Sequence, residues 1–508
     1  QLGPNWREEY VVWDASAGTA NLTRDYKFKE LYLSTLEQTD VDIILKSGFN
    51  PGATVFQFDF LNDSIEKLPA GLRKALEEGR PIVFLNNPPY GTSSDYRSIS
   101  NNGFKENINN TLISRVMKDN LMGSCSSDLL AQFIYKIYSY IDNYNLHIFV
   151  IGTFSNSNIF VMPKFKKIRS KYLNRIDMKD SFGFSSSDFE GVNSKWCILF
   201  TVFSGYSSQD SIPFKTRITD GNVTVEKMIY NNDNSLSEYE WIKLKVIDSK
   251  KENINLTNAI SIKDDSKCIM TPVDSMGFFY LKNVVGQSVK ENAILSSGIG
   301  SIFTDKLCIT EDNFEKCISS FSARVNTILD WTNYSDIYFV PDTEHPSYSR
   351  WVNDSLIVSL FTRGSQQSSL RQVTYHNSLW DLENHFFYLS NAEMRNLANQ
   401  HNNPTLYQDT FKYPNDRYVY QQLQQRTFSP DAQAVLDKAI ELTRLSFPFR
   451  KDADPKFHLN SWDAGWYQIR MGILKEHFPN EYLEFRELLL ALRKRMAPLV
   501  YELGFLKK

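Results

Sequence analysis

The sequence predicts an α/β protein: an open, mostly parallel sheet, then a mixed α+β region and a helical C-terminus. Three observations support this. Near the beginning, four short apolar runs each end in a turn of small or polar residues, which is typical of buried strands. A helical stretch at residues 68–78 lies between the third and fourth runs, as in βαβ units. From Ser429 onward the pattern is helical, beginning with a Ser-Pro cap.

The composition is that of a globular protein of more than one domain, since 508 residues exceed one ordinary core. Hydrophobic residues make up 42% and charged residues 23% of the chain. We expect no membrane span, because no apolar run reaches about 18 residues. No signal peptide is visible, and the five scattered cysteines predict neither a zinc site nor disulfides, so we expect a cytoplasmic protein. A net charge of −3 excludes a surface that is basic all over and binds polyanions in general. It is compatible with a local basic cleft.

The first predicted strand, residues 10–13, leads into a turn of small residues at 14–22. Asp14 opens this turn, and Ser16 and Gly18 allow the backbone to approach a ligand closely. Asn21 begins the next element. The segment at 21–29 is short for a crossover helix.

The next two predicted strands also end in acidic residues. Residues 30–36 form the second strand, and Glu37 follows it where nucleotide-binding sheets hold a ribose diol; Asp40 is the reserve candidate. Residues 53–58 form the third strand, which Asp59 and Phe60 follow.

The fourth strand, which begins at residue 81, ends in Asn87, Pro88, Pro89, Tyr90 and a glycine. The two prolines stop the strand and remove two backbone N–H groups, so the loop is stiff and offers acceptors. These acceptors are the Asn87 side-chain oxygen and the Pro88 carbonyl, and Tyr90 adds a flat ring. Together they suit a planar NH2 group attached to a π system.

The small-residue turn, the acid, the Asp-Phe pair and the Asn-Pro-Pro-Tyr loop occur in this order on four predicted strand ends. In this arrangement, residues 9–204 resemble the amino-group methyltransferases, chiefly the N6-adenine DNA methyltransferases with gamma-type motif order. The resemblance implies a Rossmann-like catalytic domain, S-adenosylmethionine as cofactor and double-stranded DNA as substrate. Two departures are Ala20, which replaces the usual second glycine and leaves less room for the methionine moiety, and the lack of a counterpart to the family's N-terminal segment.

The resemblance also implies roles for individual residues. The carboxylate of Asp59 would accept from the cofactor adenine, and the ring of Phe60 would pack on it. Tyr90 and Phe189 would stack on a target base that is flipped out of the duplex. The catalytic loop is Asn87, Pro88, Pro89 and Tyr90, and the expected cofactor contacts are Asp14, Ser16, Gly18, Asn21, Glu37, Asp59, Phe60 and Asn87. No metal ligand is expected.

Two further predictions concern the elements after the catalytic loop. Residues 96–120 are polar and rich in asparagine, which indicates a mobile loop over the site. Residues 127–137 form an amphipathic helix whose N-cap is Ser126 or Ser127.

For the domains, we expect the catalytic part at 1–204, a Gly/Ser-rich linker at 204–211, a DNA target-recognition region at 212–425 and a helical region at 426–508. Arg and Gln side chains can pair with base edges, so residues 361–371 are either a recognition loop or a solvated polar loop. The candidate DNA contacts there are Arg363, Gln366, Gln367 and Arg371. The last helix carries four basic residues: Arg486, Arg493, Lys494 and Arg495. They form either a solvated face of the helix or a clamp on the DNA backbone.

Three alternatives remain open. Cytosine N4 satisfies the same amine chemistry, although cytosine-directed relatives more often have Ser at the position of Asn87. A protein-glutamine methyltransferase also acts on a planar amide, but such enzymes lack a large second region. A non-catalytic DNA- or partner-binding relative is the third. A restriction-modification or related bacterial or phage system is the expected setting.

Overall fold

The structure is a computed structural model. It describes residues 4–89, 111–189, 195–208, 212–244, 248–256, 261–262, 268–281, 293–298, 305–402 and 415–508. By internal contacts the chain forms two compact units. The first unit comprises Gln1–Asn234, Asp330–Ile337 and Lys508, and the second comprises Ser235–Leu329 and Tyr338–Lys507.

Nine strands of the described residues form one sheet in the first unit, in the order β3-β2-β1-β4-β5-β7-β6-β8-β9. Their bounds are β1 Val11–Asp14, β2 Leu31–Thr35, β3 Thr54–Gln57, β4 Ile82–Asn86, β5 Phe149–Asn156, β6 Ile176–Ser185, β7 Cys197–Tyr206, β8 Phe214–Asp220 and β9 Val223–Ile229.

The first five strands run parallel, and β7 lies antiparallel between β5 and β6. The order 3-2-1-4-5 is that of doubly wound sheets, in which the direction of winding reverses between β1 and β4. Strands β1 and β2 are buried along their whole length, as a sheet covered on both faces requires. The fold is therefore Rossmann-like, which confirms the predicted class.

In the first unit, the first helix precedes β1, and the other helices of the described residues connect strands. They are α1 Trp6–Glu9, α2 Gln38–Ser47, α3 Ala70–Glu77, α4 Leu112–Asp119, α5 Leu129–Asn143, α6 Asn158–Val161 and α7 Lys166–Lys171. Between β1 and β2 the chain crosses in turns at residues 15–26 and forms no helix. The short segment noted in the sequence is therefore an irregular crossover.

The N-cap of α5 differs from the expectation. Ser126 and Ser127 belong to a 3-10 turn, Gly123–Ser127, in which their hydroxyls donate to the carbonyls of Gly123 and Ser124. Asp128 has extended backbone, and its carboxylate accepts from the N–H of Ala131. The cap is therefore Asp128, because the two serine side chains already have partners in the preceding turn.

The sheet continues past the predicted linker. Strand β7 runs to Tyr206, and β8 pairs in parallel with β6, so the first unit extends to Asn234. Residues 204–206 are part of a strand because they pair with β5 and β6, and their Gly/Ser content gave no sign of this pairing.

The second unit is a mixed α+β region around one large core. Its strands are β10 Lys250–Ile254, β11 Cys268–Pro272, β12 Gly277–Leu281, β13 Ala293–Ser296, β14 Asp305–Ile309, β15 Ser365–Gln366, β16 Leu370–Tyr375 and β17 Ser378–Leu382. Its helices are α8 Glu238–Ile242, α9 Phe314–Asn326, α10 Tyr348–Phe361, α11 Asn391–Gln400, α12 Tyr418–Gln424, α13 Pro430–Ser446, α14 Trp466–Ile469, α15 Lys475–His477 and α16 Pro479–Glu502, with a π-helical turn Arg470–Leu474 after α14.

The helical C-terminus is confirmed. Ser429 caps α13 by accepting from Ala432, with Pro430 at the first helical position, as the sequence indicated. Helices α13 and α16 contribute Val435, Leu442 and Leu492 to a core shared with Trp351. None of the described helices combines the length and the apolar character needed to cross a membrane.

Candidate active site

The candidate site lies at the carboxyl ends of β1 and β4, where the direction of strand winding reverses. Open α/β sheets bind ligands in the crevice at this point. Asp14 is the last residue of β1 and Asn86 the last residue of β4, so Asn87 follows directly. The N–H of Asn87 donates to the Ser16 hydroxyl at 2.9 Å, and that of Ala15 donates to the Leu85 carbonyl at 3.1 Å. The small-residue turn is thus hydrogen-bonded to the first residue of the Asn-Pro-Pro loop and to strand β4, which leads into that loop.

Asp14 lies beneath the turn. Its side chain is fully buried, one carboxyl oxygen accepts from the N–H of Ser16 at 3.2 Å, and the other has no hydrogen-bond partner among the described residues. Burial raises the pKa of Asp14 from 3.8 to about 7, and the bond from Ser16 opposes this shift. The expected direct contact of Asp14 with a cofactor is corrected by this burial: the side chain orders the turn from below.

The turn contains two residues with left-handed backbone. Gly18 has φ +49°, with open space where a Cβ would lie, and Ala20 has φ +62°. The methyl group of Ala20 is fully buried in a cluster with Val12 and Leu33. This corrects the expectation that Ala20 narrows a ligand space, because its side chain fills the core beneath the turn.

Glu37 and Asn21 lie on neighbouring segments of the chain, after β2 and in the crossover that precedes β2. Glu37 is half-buried after β2, at the N-cap of α2, and its carboxylate does not cap that helix. Asn21 is exposed, and its side-chain oxygen accepts from Arg24 at 2.9 Å. Glu37 therefore presents acceptors at the place predicted for a ribose, while Asn21 also holds Arg24.

Asp59 holds a turn together after β3. Its Oδ1 accepts from the N–H groups of Leu61 and Asn62 at 3.0 and 3.1 Å, and its Oδ2 accepts from the Asn62 amide at 2.8 Å. A carboxylate has about four acceptor positions, so one further donor can be accommodated. Asp59 is half-buried, so its carboxylate is accessible to a ligand.

Phe60 is a core residue, which corrects its expected contact with the cofactor. Only 3% of its surface is exposed. Its ring stacks on Phe133 with centroids 4.9 Å apart and meets Trp13 edge-on at 5.5 Å. Because neighbouring aromatic side chains pack around the ring, it has little surface left for an adenine.

The two predicted base-stacking residues differ in what the structure describes. Tyr90 lies outside the described residues, as do residues 96–110 of the segment that was predicted to be a mobile loop. The described remainder of that segment contains helix α4, Leu112–Asp119, so the loop prediction is wrong there. Phe189 is half-buried after the 3-10 turn Ser186–Asp188, and its ring lies 5.6 Å from that of Phe184. Within the loop itself, Asn87 is half-buried, Pro88 buried and Pro89 exposed.

Two buried polar residues near the site were not singled out from the sequence. Asn86 accepts from the Thr153 hydroxyl at 2.7 Å, and its amide nitrogen has no partner among the described residues. Lys136 on α5 is 9% exposed; burial lowers its pKa, while Asp59 and Asp63 raise it. The only sequence signal was a polar residue beside the loop and a lysine in an apolar helix.

A half-open hollow of about 470 Å³ lies on one face of the sheet, next to the crevice. Its floor includes Leu85 and Gly152, and Trp6, Tyr26 and Phe28 contribute aromatic walls. The irregular crossover between β1 and β2 therefore lines this face, where a doubly wound sheet ordinarily carries a helix.

The predicted recognition loop in the second unit is largely internal. Gln367 is 1% exposed and donates to the Ser359 carbonyl at 3.2 Å. Arg371 donates to both carboxylate oxygens of Asp463 at 2.9 Å each. This burial corrects both the DNA contacts expected for Gln367 and Arg371 and the solvated-loop alternative. Arg363 is exposed and Gln366 half-buried, so these two remain candidates.

The basic residues of α16 also divide into two kinds. Arg495 pairs with Asp354 and Asp431, and Arg493 donates to the Val325 carbonyl. Both therefore hold the second unit together, while Arg486 and Lys494 are exposed.

No protein-family model and no curated protein sequence matches the chain. Among solved structures, the Type ISP restriction-modification enzyme LlaGI, a nuclease-deletion mutant in complex with a DNA substrate mimic, is 13% identical with a TM-score of 0.30, covering 49% of this chain and 31% of that chain. A TehB-like S-adenosylmethionine-dependent methyltransferase from Corynebacterium glutamicum is 13% identical with a TM-score of 0.22. The match covers 40% of this chain and 83% of that chain.

A third match is a protein from Listeria monocytogenes described as a candidate class I S-adenosylmethionine-dependent methyltransferase. It is 10% identical with a TM-score of 0.25, covering 44% of this chain and 58% of that chain. The chain spans less than two thirds of this protein and of LlaGI. Likenesses of this size are too weak to assign an activity to the chain.

Proposed function

We propose that this protein transfers a methyl group from S-adenosylmethionine to the N6 amine of adenine in double-stranded DNA. The observation that carries the proposal is the link between two loops at the reversal point of the sheet. The Asn-Pro-Pro loop begins directly at the end of β4, and its first residue, Asn87, bonds to Ser16 in the turn after β1. A loop suited to a planar amine thus lies beside a turn suited to a nucleotide-like cofactor. The proposed setting is a restriction-modification or related system.

The chemistry of the proposal depends on two acceptors. The Asn87 amide oxygen and the Pro88 carbonyl would accept the two hydrogens of the target amine. These bonds draw the nitrogen lone pair out of conjugation with the ring. As the amine accepts the methyl group, positive charge would develop on the nitrogen, and the two fixed acceptors would stabilise it until the amine loses one proton to solvent. Because Pro88 and Pro89 lack N–H groups, no backbone donor of theirs competes at that position.

The residues present fit the proposed cofactor. Gly18 leaves open space above the turn, Glu37 offers a carboxylate for the ribose hydroxyls, and Asp59 retains capacity for the adenine amine. Ser16 and Asn21 would complete the polar lining. S-adenosylmethionine supplies an activated methyl group on a sulfonium centre. The buried carboxyl of Asp14 keeps the turn in place by holding the N–H of Ser16.

The target base would be bound between aromatic side chains. An adenine inside a duplex cannot present its amine to an enclosed site, so it is flipped out of the stack. Tyr90 would stack on one face and Phe189 on the other. A base–aromatic stack contributes about 1–3 kcal/mol, which offsets part of the cost of unstacking the base.

The test combines a product assay with two substitutions at Asn87. Wild-type protein, incubated with duplex DNA and S-adenosylmethionine, should yield N6-methyladenine in mass spectrometry of the digested DNA. Asn87→Ala should abolish transfer, while calorimetry should show that the variant still binds the cofactor, weakened by no more than about 1.5 kcal/mol, the cost of one hydrogen bond. Asn87→Ser retains a short acceptor and serves as the matched control, with a residual rate above that of Asn87→Ala.

Other outcomes of this test would overturn the assignment. N4-methylcytosine would show that the amine chemistry is correct and the base wrong. Unchanged transfer by Asn87→Ala would remove Asn87 from the reaction. One observation favours a second candidate, a non-catalytic DNA-binding relative: Phe60 is enclosed in the core and has little surface left for contact with a cofactor. DNA binding without cofactor binding or transfer would support that alternative.

A further inference from the structure

The most basic short segment of the first unit is the one that contains α7. Of the twelve residues 164–175, six are basic and none is acidic, although the whole chain has a net charge of −3. The six are Lys164, Lys166, Lys167, Arg169, Lys171 and Arg175. Such a concentration of charge in an otherwise slightly acidic chain calls for a physical reason.

Two of these six side chains are used inside the unit. The buried guanidinium of Arg169 forms a bidentate pair with Asp233 and also donates to the carbonyls of Ile159 and Met162. Lys164 pairs at 2.9 Å with Asp128, the N-cap of α5. These two contacts explain two of the charges as structural.

The other four, Lys166, Lys167, Lys171 and Arg175, are exposed and form what we call the α7 basic face. Within the described part of the chain, none of them forms a salt bridge. Lys166 and Lys167 donate to backbone carbonyls, and Lys171 lies 5.3 Å from the ring of Tyr172. Carbonyl and ring contacts do not neutralise an ammonium, so the face keeps its full positive charge.

The α7 basic face begins at the edge of the sheet that carries Asn87. Strands β4 and β5 are parallel, so α5, which leads into β5, must return from the carboxyl edge and have its N-terminus there. Lys164 contacts that N-terminus, and Lys167 donates at 2.5 Å to the carbonyl of Leu121, eight residues before α5 begins. Arg175 directly precedes β6, at the opposite edge. The basic residues therefore extend from the carboxyl edge of the sheet, where the candidate site lies, to its amino edge.

A pocket of about 300 Å³ lies at the end of this face that contains Arg175. It is lined by Lys166, Ser170, Asn174, Arg175, Asp233 and Asn234. Its one carboxylate, Asp233, is neutralised by its bidentate pair with Arg169. What remains is two cations with hydroxyl and amide groups, a combination that suits a phosphate oxygen.

We propose that the α7 basic face binds the phosphate backbone of duplex DNA next to the target site. The proposal rests on the proposed function, which makes DNA the substrate, and adds the surface that contacts it. Backbone contacts of this kind position the duplex and contribute affinity without reading sequence. Each lysine that neutralises a phosphate releases counterions, so binding through this face depends on salt.

The test uses the full chain and a short fluorescent duplex of mixed sequence, with anisotropy measured from 50 to 200 mM salt, roughly the range over which such binding weakens. The variant is Lys166→Gln/Lys167→Gln/Lys171→Gln. The control is Lys46→Gln/Lys74→Gln/Lys215→Gln, which removes the same charge from exposed positions of the same unit. We expect the α7 variant to bind at least about tenfold more weakly at 100 mM salt, with a log–log salt slope smaller by about 2–3. The control should lose much less.

The possible outcomes separate this inference from the proposed function. Equal loss by the variant and the control would overturn the surface assignment, even if the wild type methylates DNA. Weaker binding by the variant alone, together with no methyl transfer by the wild type, would support the surface and contradict the proposed function. A wild type that binds no duplex DNA would overturn both. Thermal melting of each variant confirms that a loss of binding is not a loss of folding.

Discussion

Asp14 shows how one residue links the sequence pattern to a measurable property. The sequence places an acid at the end of β1, and the structure encloses it completely, with one oxygen lacking a partner among the described residues. Burial of a carboxyl disfavours its charged form, because the low-dielectric surroundings stabilise the ion less than water does. The consequence is a dependence of stability on pH.

The sign of this dependence follows from the pKa of Asp14, about 7 in the folded protein against 3.8 ordinarily. Between these values the folded protein holds the proton and the unfolded chain does not, so stability falls as pH rises from about 4 to about 7. Asp14→Asn removes this contribution. The stability of the variant relative to the wild type should therefore rise by about 3 kcal/mol over this range. Denaturant unfolding at several pH values measures it.

Asp142→Asn, a substitution of an exposed carboxylate, is the control for the pH experiment. The result expected for Asp14→Asn is a change of relative stability with pH that exceeds the change found for this control. Parallel pH profiles for wild type and Asp14→Asn would contradict the account of Asp14.

Helix α5 illustrates the scale of the element. Its existence followed from the apolar periodicity, but its N-cap did not, because three polar residues, Ser126, Ser127 and Asp128, precede it. All three can cap a helix. The choice falls to Asp128, which bonds to Ala131 and pairs with Lys164 from the segment before α7.

Asp128→Ala should reduce the free energy of unfolding by about 1–2 kcal/mol, since it removes a cap bond and a half-buried pair. Ser127→Ala, at the cap position that the sequence also allowed, should cost less than about 0.5 kcal/mol. Denaturant unfolding of both variants provides the comparison. If Ser127→Ala lowered the free energy of unfolding more than Asp128→Ala, Ser127 and not Asp128 would be the N-cap.

At the scale of the whole molecule, the extent of the first unit is the main difference from the sequence-based boundaries. The resemblance covers residues up to 204, but β8 and β9 extend the same sheet to Ile229. Asp233 lies beyond them and provides the carboxylate for the fully buried Arg169. Residues after 204 are therefore part of the framework that supports the candidate site.

Asp233→Ala should destabilise the full chain by about 3–5 kcal/mol, because it leaves the buried charge of Arg169 without its partner. Asp177→Ala breaks an exposed pair with Lys179 and should cost under about 0.5 kcal/mol. Unfolding followed by circular dichroism measures both changes. Equal small effects would mean that the segment at 233 contributes little to the first unit.

Much of the candidate site followed from local sequence. At each strand end the sequence changes from apolar to small, acidic or proline residues. This change predicts that Glu37, Asp59 and Asn87 follow strands. What could not be read is the second partner of each side chain. Phe60 and Phe133 are separated by 73 residues, and only packing of α5 on the sheet brings the two rings together.

The sequence by itself determined the fold class, the order of the strand-end motifs and the helical C-terminus, since these depend on local periodicity and turn chemistry. Only the tertiary structure decided which polar residues are buried. Gln367 and Arg371 look like base-reading side chains in the sequence, yet Ser359 and Asp463 hold them inside the second unit. Burial depends on contacts between residues far apart in the chain, and the sequence pattern around one residue does not contain that information.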